Sequence, residues 1–334
     1  MSSEPHPTNI VKTGEELTGK VCFIVGPTGS GKSALAIEIA GRLDAEIVNA
    51  DSRLFFAGVD IGSAKPSAQE RARVPHHLID CLMPHDRIDA AIFATQARAA
   101  IADIVRRGRR PIVVGGSGLY LRALKHGFFD GPPASPQLRA ELRALAQTHG
   151  VAELHRELAA VDPASAARIG PHDLARIVRA LEVFRLTGEP ISVHQQRHRF
   201  AARTYDTLTI AIDLDRAELY RRINLRFAQM LADGLIEELC ALIEAGYDPG
   251  AEPLSTIGYR QLSAYLRHEM TLAEAVEQAK RATRNLAKRQ LTWFRHEPDI
   301  VWLPAAEAAA RGIARFSDFF ESQDSGGISI ARLN

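Results

Sequence analysis

The segment GPTGSGKS, residues 26 to 33, carries the pattern GxxxxGK[ST], whose residue types suit the binding of phosphate groups. Gly26, Gly29 and Gly31 allow the backbone to bend so that successive amide groups point towards an anion. We expect the side chain of Lys32 to reach the terminal phosphates and the hydroxyl of Ser33 to bind magnesium. The predicted diphosphate-binding or nucleotide-binding residues are Gly26, Pro27, Thr28, Gly29, Ser30, Gly31, Lys32 and Ser33.

The surroundings of this segment favour the same interpretation. The apolar run VCFIV precedes it and the helical run SALAIEIAGRL continues it, so that the loop meets the positive end of a helix. A glycine turn without a ligand explains the eight matched positions less well. ATPases, GTPases, kinases and some transferases all use such a loop, so other residues must decide the reaction.

Two further strand ends offer polar groups that could take part in a reaction. The second apolar run ends at Asp51 and Ser52, and ligands of open α/β sheets bind at the carboxyl ends of strands. Asp51 is therefore a candidate acid or base, and a role as a turn or helix-capping residue is equally open for it. The run RPIVVGG leads into Ser117, whose neighbouring glycines allow a ligand to approach the backbone, with a plain glycine turn as the alternative.

An ATP-hydrolysing motor would place a magnesium-holding aspartate at the end of an apolar strand, and VVGG ends without one. Asp213, at the end of LTIAID, imitates that arrangement far downstream, and we interpret it as a structural strand-end residue. This pattern does not exclude an ATPase.

The elements that must position these residues belong to an α/β fold. Apolar runs at 21–25, 45–51, 110–116 and 208–214, with another near residue 300, predict a P-loop NTPase-like parallel sheet flanked by helices. From Phe128 to Phe200, the proline-rich GPPASP opens a stretch with helical periodicity and little strand character. We predict a catalytic core at 1–127 and 201–320, an all-helical insertion domain at 128–200, and a loose tail at 321–334. Residues 1–18 are also polar and aperiodic.

Helical spacing after the fourth run predicts further packing on the sheet. The apolar positions there recur every three or four residues, and residues 272–295 behave in the same way. The positions are Leu219, Ile223, Phe227, Met230 and Leu231.

Composition limits the class of protein. The 334 residues, 46% hydrophobic and 24% charged, suit a globular protein of about two domains, and no apolar run near the N-terminus exceeds strand length. Secretion and membrane spanning are therefore not expected. Cys22, Cys81 and Cys240 lie far apart, so neither a disulfide framework nor a zinc site is expected and a reducing cytoplasm fits. The net charge of +1 gives no global indication of a nucleic acid partner.

Local clusters of basic and histidine residues need separate interpretation. No acidic residue occurs from Gln278 to Arg295, and an RNA-binding stripe and a solvated helix face explain this equally well. The basic residues are Lys280, Arg281, Arg284, Lys288, Arg289 and Arg295, of which 281, 284, 288 and 295 share one face. The run RRGRRP at 106–111 is typical of a helix end. His76 and His77 are adjacent on an extended segment and should point to opposite sides, so we expect no metal pair.

An ordered set of motifs resembles the landmarks of the tRNA dimethylallyltransferases, also called tRNA isopentenyltransferases. The motifs span residues 23 to 295 and read GPTGSGKSALAIEIA, NADS, DIGSAKP, PHHLID, VVGGSGLYL, RALEVFRLTG, GLIEEL, IGYRQ and AKRQLTWFR. Ser33 and Ser117 stand where threonine also occurs in that family, and both keep the hydroxyl. The chain lacks the cysteine and histidine zinc-finger extension of some eukaryotic members, so it resembles the bacterial form.

This resemblance implies transfer of the dimethylallyl group from dimethylallyl diphosphate to the exocyclic amine of the adenosine adjacent to the anticodon in tRNA. Pyrophosphate would leave, with Mg²⁺ as cofactor at Ser33. Asp51 would be the general base, with Arg226 and Ser117 as further catalytic residues. Without the resemblance, a solvated helix position would be preferred for Arg226.

The resemblance also implies the partners and their contacts. These are dimethylallyl diphosphate and the tRNA anticodon stem-loop, which the insertion domain would contact. We expect a cytoplasmic monomer that binds no membrane and no obligate protein partner. The implied tRNA-binding residues are Asp51, Ser52, Arg53, Leu54, Ser117, Arg139, Ala175, Arg176, Ile177, Val178, Arg179, Ser255, Thr256, Ile257, Gly258, Tyr259 and Arg260.

Two alternatives stay open at this point. A P-loop kinase or prenyltransferase acting on free adenine nucleotides would be active without RNA, and the helical insertion and the basic stripe disfavour it. A nucleotide-dependent RNA-binding NTPase would turn over nucleotide without modifying RNA, and GGSGLY in place of a strand-end aspartate weighs only weakly against it.

Overall fold

A parallel sheet organises the computed structural model, which describes residues 19–127, 131–197 and 205–322. Within these residues the sheet has six strands in the order β3-β2-β4-β1-β5-β6. They are β1 (Lys20–Val25), β2 (Ala45–Asn49), β3 (His76–His77), β4 (Arg110–Gly115), β5 (Asp206–Asp213) and β6 (Ile300–Pro304). Ile24 of β1 pairs with Val114 of β4 and with Ile210 of β5. The predicted P-loop NTPase-like parallel sheet is confirmed.

The sequence-based prediction missed β3, which has only two residues and forms the edge of the sheet. Two histidines carry no apolar signal, so only the pairing with β2 defines this strand. His77 places Nε2 2.6 Å from Oε2 of Glu46, whereas His76 lines a cavity beside the glycine-rich loop.

Helices cover both faces of the sheet and form the insertion. In chain order they are α1 (Lys32–Leu43), α2 (Ala68–Arg73), α3 (Ala90–Arg106), α4 (Gly118–His126), α5 (Pro136–His149), α6 (Val151–Val161), α7 (Pro163–Ala166), α8 (Leu174–Thr187), α9 (Ile191–Arg197), α10 (Arg216–Ala232), α11 (Leu235–Glu244), α12 (Tyr259–Leu266), α13 (Leu272–Arg295) and α14 (Ala308–Glu321). Among the described helices, none combines the length and the apolar character that a membrane crossing requires.

Alternation along β1 divides the core of the sheet into two layers. Phe23 packs in a cluster with residues of α3, α4 and α10 to α13 on one face, while Cys22 and Ile24 pack with α1 and α14 on the other. Because both faces are covered, the strand reads as a continuous apolar run. On α10, Ile223 and Phe227 are buried and Leu231 is half-buried, as the helical spacing predicts.

The chain divides into two compact units, Met1–Lys125 together with Arg203–Asn334, and His126–Ala202. The second unit contains α5 to α9 and has its own core around Leu142, Leu158 and Leu181. The sequence prediction places the insertion at 128–200 and the loose tail at 321–334. Glu321 is the last residue of α14, and residues 1–18 and 323–334 lie outside the described residues.

The run RRGRRP lies at the end of α3, where its arginines meet acidic side chains. Arg106 pairs with Asp103 at 2.8 Å, and Nη2 of Arg107 donates to Oε2 of Glu46 at 2.8 Å. Hydrogen bonds from Arg107, aided by His77, lower the pKa of the buried Glu46 to about 2. These contacts fix the end of α3 against β2.

Candidate active site

The loop between β1 and α1 has the geometry of an anion cradle. Gly29 and Gly31 have φ values of 83° and 93°, a left-handed conformation that favours glycine. A Cβ atom at Gly29 would lie 2.9 Å from Cγ1 of Ile223, so α10 leaves no room for a side chain there. Gly31 is also the residue before α1, whose first backbone N–H groups remain available to a ligand.

Lys32 and Ser33 follow in the first turn of α1. Lys32 is buried, and its Nζ lies 3.4 Å from the carbonyl oxygen of Pro27. Burial lowers the pKa of Lys32, nearby Asp51 opposes this effect and Arg226 adds to it. An incoming diphosphate would restore the balance of charge around this ammonium group.

The residues at this turn fit a magnesium ion. Ser33 is exposed, lines a cavity with Lys32 and Asp51, and its hydroxyl makes no hydrogen bond within the described part of the chain. A free hydroxyl beside a phosphate cradle is the donor type that Mg²⁺ uses together with phosphate oxygens and water.

Asp51 is positioned by the end of β2. The side chain of Asn49 accepts a hydrogen bond from the backbone N–H of Asp51 at 2.8 Å and donates to the carbonyl oxygen of Leu78 at 2.9 Å. Oδ1 of Asp51 accepts from the N–H of Arg53 at 3.2 Å, a local turn contact. Its Oδ2 accepts no hydrogen bond from any described residue, so the turn role and a role in a reaction are compatible.

Arg226 reaches the loop from α10 and is not a solvated helix arginine. Its Nη2 donates to Oγ1 of Thr28 at 2.5 Å, and burial lowers its pKa while Asp51 opposes this effect. The negative charge of Asp51 acts to raise the pKa values of Lys32, Arg53 and Arg226. Asp51 therefore lies among three cationic side chains.

Gln290 of α13 joins the glycine-rich loop to the loop after β4. Its Oε1 accepts from the N–H of Thr28 at 2.9 Å, and its Nε2 donates to the carbonyl oxygen of Gly116 at 2.9 Å. Ser117 follows directly and lines the same cavity as Gln290. Sequence reasoning missed this residue, although it stands within the motif AKRQLTWFR.

Arg222 of α10 also lies near the glycine-rich loop, and the sequence analysis does not single it out. Its Nη1 lies 3.6 Å from the position that a Cβ atom of Gly31 would occupy, and Glu218 holds its Nε at 2.7 Å. The spacing of four residues between Arg222 and Arg226, on the same side of α10, is the signal that could have indicated it.

Two of the cavities lined by these residues adjoin one another. The larger, of about 250 Å³, combines polar groups with an apolar wall. Its polar lining includes Thr28, Asp51, Ser117, Arg226 and Gln290, and its apolar lining includes Ile223, Phe227, Met230, Leu235 and Leu286. The smaller, of about 60 Å³, contains Lys32, Ser33 and Asn49 and shares Thr28, Asp51 and Arg226 with the larger. The site can therefore hold phosphate groups and an apolar group side by side.

Glu238 of α11 holds the DIGSAKP segment beside the cavities. Its carboxylate accepts backbone hydrogen bonds from Asp60 at 2.8 Å and Gly62 at 3.0 Å, and a further one from the hydroxyl of Tyr259. A Cβ atom on Gly62 would lie 2.4 Å from Cζ of Tyr259, so only glycine fits there. Two separate motifs, GLIEEL and IGYRQ, thus fix the segment that carries Ser63 into both cavities.

The chain is similar to proteins of a known family. The family model described as IPP transferase matches residues 54–297. The chain belongs to this family. A tRNA dimethylallyltransferase of Geobacter metallireducens is 50% identical over 289 residues, which cover 86% of this chain and 94% of that protein.

Solved structures of the IPP transferase family agree. The full-length tRNA isopentenylpyrophosphate transferase of Bacillus halodurans is 37% identical, with a TM-score of 0.67 over 90% of this chain and 97% of that one. A eukaryotic dimethylallyltransferase acting on tRNA is 29% identical, with a TM-score of 0.77 over 90% of this chain and 79% of that one.

Several residues that the family resemblance assigns to tRNA do line the larger cavity. Ser52, Arg53, Thr256, Ile257 and Gly258 belong to its lining, as do Asp51 and Ser117. Nη1 of Arg53 donates to the carbonyl oxygen of Ile257 at 3.3 Å, which links the two segments. Leu54 is half-buried, and Ser255 and Arg260 are exposed.

Tyr259 requires a correction. Its side chain is completely buried and its hydroxyl contacts Glu238, so it supports the DIGSAKP segment and has no surface to offer RNA. Within the insertion unit, Ile177 and Val178 are likewise buried in the core, because they form the inner face of α8. Ala175 and Arg176 are exposed.

Arg139 and Arg179 share one structural role within the insertion unit. The carboxylate of Glu182 is fully buried and accepts from Nε of Arg139 at 2.8 Å and from Nη1 of Arg179 at 2.6 Å. A buried carboxylate needs such partners, so both arginines stabilise Glu182, while their side chains remain 33% and 28% exposed. Arg176 is the remaining exposed arginine of the predicted contact segment.

The basic residues of α13 do not form one free stripe. Arg284 donates to Asn224 at 2.7 Å, Lys280 pairs with Glu277 at 3.0 Å, and Arg295 pairs with Asp213 at 3.2 Å. Arg281, Lys288 and Arg289 are exposed, without an ion pair among the described residues. At 100° per residue, Arg281 and Lys288 lie on the side of α13 opposite the cavity residues Thr283, Leu286 and Gln290.

Proposed function

We propose that this chain transfers the dimethylallyl group of dimethylallyl diphosphate to the exocyclic amine of the adenosine adjacent to the anticodon in tRNA. One observation carries the proposal. The phosphate cradle faces Asp51 across a cavity that also has an apolar wall made by Ile223, Phe227 and Met230. A prenyl diphosphate would use both surfaces of this cavity, the polar one for its phosphates and the apolar one for its prenyl group.

The cradle binds the diphosphate and stabilises it as a leaving group. Backbone amides of residues 29–33, with Lys32 and Arg226, meet the negative charge that develops when the carbon–oxygen bond breaks. Magnesium, held by Ser33 with diphosphate oxygens and water, would add charge neutralisation at the same place. Arg226 binds the hydroxyl of Thr28 and Gln290 binds its backbone N–H, so both groups fix the position of this residue.

Asp51 accepts the proton of the nucleophile. The exocyclic amine of adenine is a weak nucleophile because its lone pair is delocalised into the ring. As the nitrogen–carbon bond forms and the carbon–oxygen bond breaks, the electron pair leaves with pyrophosphate and the amine proton passes to the unbonded Oδ2 of Asp51. Asn49 fixes the backbone of Asp51 and thereby the position of this oxygen.

The adenosine must leave its stack to reach this cavity, which costs a few kcal/mol and is least costly in a single-stranded loop. A tRNA hairpin loop is therefore a suitable substrate. Because tRNA is the substrate, we propose that the reaction takes place in the cytoplasm. We propose that Ala175 and Arg176 of the insertion, together with Ser255 and Arg260, contact this RNA. All catalytic side chains come from one chain, so a monomer is the proposed active form.

The proposal is tested by incubating the protein with Mg²⁺, unmodified tRNA and dimethylallyl diphosphate labelled in the prenyl carbons. We expect label on the RNA, and pyrophosphate released only when RNA is present. Label on free adenosine monophosphate at the same rate would favour a nucleotide prenyltransferase. Phosphate release from ATP without label on RNA would contradict the proposal and leave an RNA-binding NTPase.

A further inference from the structure

A large apolar side chain lies exposed beside the cavity. Leu119 is 56% exposed and stands in the first turn of α4, two residues after the cavity residue Ser117. Arg122 lies three residues further on, so the two side chains are neighbours on the surface of the helix. Together they form a patch that is apolar on one side and cationic on the other.

The guanidinium group of Arg122 is held in a fixed orientation. Its Cζ lies 5.2 Å from the ring centroid of Trp293, and its Nη2 donates to Oε1 of Glu297 at 2.5 Å. Trp293 is itself pressed against α4, since a Cβ atom at Gly118 would lie 2.5 Å from its Cδ2. We refer to Leu119, Arg122 and Trp293 as the platform.

The platform is continuous with the cavity. Trp293 stands three residues after Gln290 on α13, and Gln290 both lines the cavity and binds the carbonyl oxygen of Gly116. Helix α13 therefore contributes to both the lining and the platform, and Ser117, the residue before α4, joins the lining to the helix that carries Leu119 and Arg122. A ligand that enters the cavity brings its neighbouring groups onto this surface.

We propose that the platform stacks the unpaired base of a nucleotide flanking the target adenosine. The inference rests on the proposed function. When the adenosine leaves its stack, the adjacent bases lose a partner, and proteins replace such partners with aromatic, apolar or guanidinium surfaces. Leu119 offers the apolar surface, and Arg122 offers a flat cation that also attracts the adjoining phosphate.

The test combines a protein variant with altered RNA. Leu119→Ala, Leu225→Ala and the unmodified protein are compared on an anticodon stem-loop and on two versions with an abasic nucleotide on the 5′ or 3′ side of the adenosine. Leu225 is a matched control, because it is also 56% exposed and lies on the side of α10 opposite the cavity residues Ile223, Phe227 and Met230. The readouts are kcat/KM for RNA and KM for dimethylallyl diphosphate.

Leu119→Ala should lower kcat/KM for the intact loop by about fivefold to 150-fold, the range of one stacked base, without changing KM for the diphosphate. On one of the abasic loops it should cause no further loss, while Leu225→Ala behaves as the unmodified protein on all three. Unchanged kinetics on the intact loop, or losses that simply multiply on both abasic loops, would overturn the inference. Absence of transfer by the unmodified protein would overturn the proposed function and this inference together.

Discussion

Replacing Gln290 by alanine removes the link between the glycine-rich loop and the loop that carries Ser117. Two hydrogen bonds of 2.9 Å each are lost, one from the N–H of Thr28 and one to the carbonyl oxygen of Gly116. Each is worth about 0.5 to 1.5 kcal/mol net, or about 1 to 3 kcal/mol together. If the site needs both loops in register during transfer, kcat/KM falls by about 5-fold to 150-fold.

The assay is steady-state transfer at saturating tRNA with varied dimethylallyl diphosphate. Gln278→Ala is the matched control, because it makes the same change at an exposed position of α13. Gln290→Glu keeps an acceptor for Thr28 but places a second oxygen against the carbonyl of Gly116, so it should perform no better than alanine. Equal kcat/KM for Gln290→Ala and Gln278→Ala would show that the link between the two loops does not contribute to transfer.

Three further outcomes follow from the contacts of individual side chains. Asp51→Ala should lower kcat by about 10² to 10⁴ while binding of dimethylallyl diphosphate, measured by calorimetry, is kept, and near-normal turnover would remove Asp51 as the base. Arg226→Ala loses a charge-assisted contact with Thr28 worth about 1.5 to 3 kcal/mol, so kcat/KM should fall by about one to two decades, whereas unchanged kinetics would return it to a solvated role. The pKa of Glu46 lies at about 2, below its ordinary value of 4.5, so its contribution to stability is complete above pH 4.5 and is lost as the pH falls towards 2. Thermal unfolding of Glu46→Gln should consequently depend less on pH in this window than that of the unmodified protein, and identical pH profiles would contradict this.

The parts of the fold that depend on local sequence could be predicted. Apolar runs bounded by turn residues gave five strands, because strands covered on both faces are apolar throughout. The glycine-rich loop was predictable since left-handed turns at Gly29 and Gly31 and the following helix are encoded within eight residues. The edge strand at His76 was not, because its identity comes from pairing with β2 alone.

The parts of the site that depend on contacts distant in sequence could not be predicted. Gln290 lies 262 residues from Thr28, and its place in the motif AKRQLTWFR does not by itself show that it contacts the glycine-rich loop. Some of the expected RNA contacts were also not predictable, because the sequence does not show which side chains the folded insertion buries or pairs. Arg179 carries a charge suited to phosphate, yet the buried Glu182 binds it, and Ile177 lies in a core that only the folded insertion creates.

The proposed reaction is the attack of an exocyclic amine on a prenyl carbon, and a matched pair of RNAs isolates the role of that amine. One stem-loop carries adenosine beside the anticodon, and the other carries purine riboside, which keeps the ring but lacks the amine. With prenyl-labelled dimethylallyl diphosphate and Mg²⁺, we expect label on the adenosine RNA alone, recovered after digestion as the prenylated nucleoside. Equal label on both RNAs, or none on either, would exclude this amine as the nucleophile.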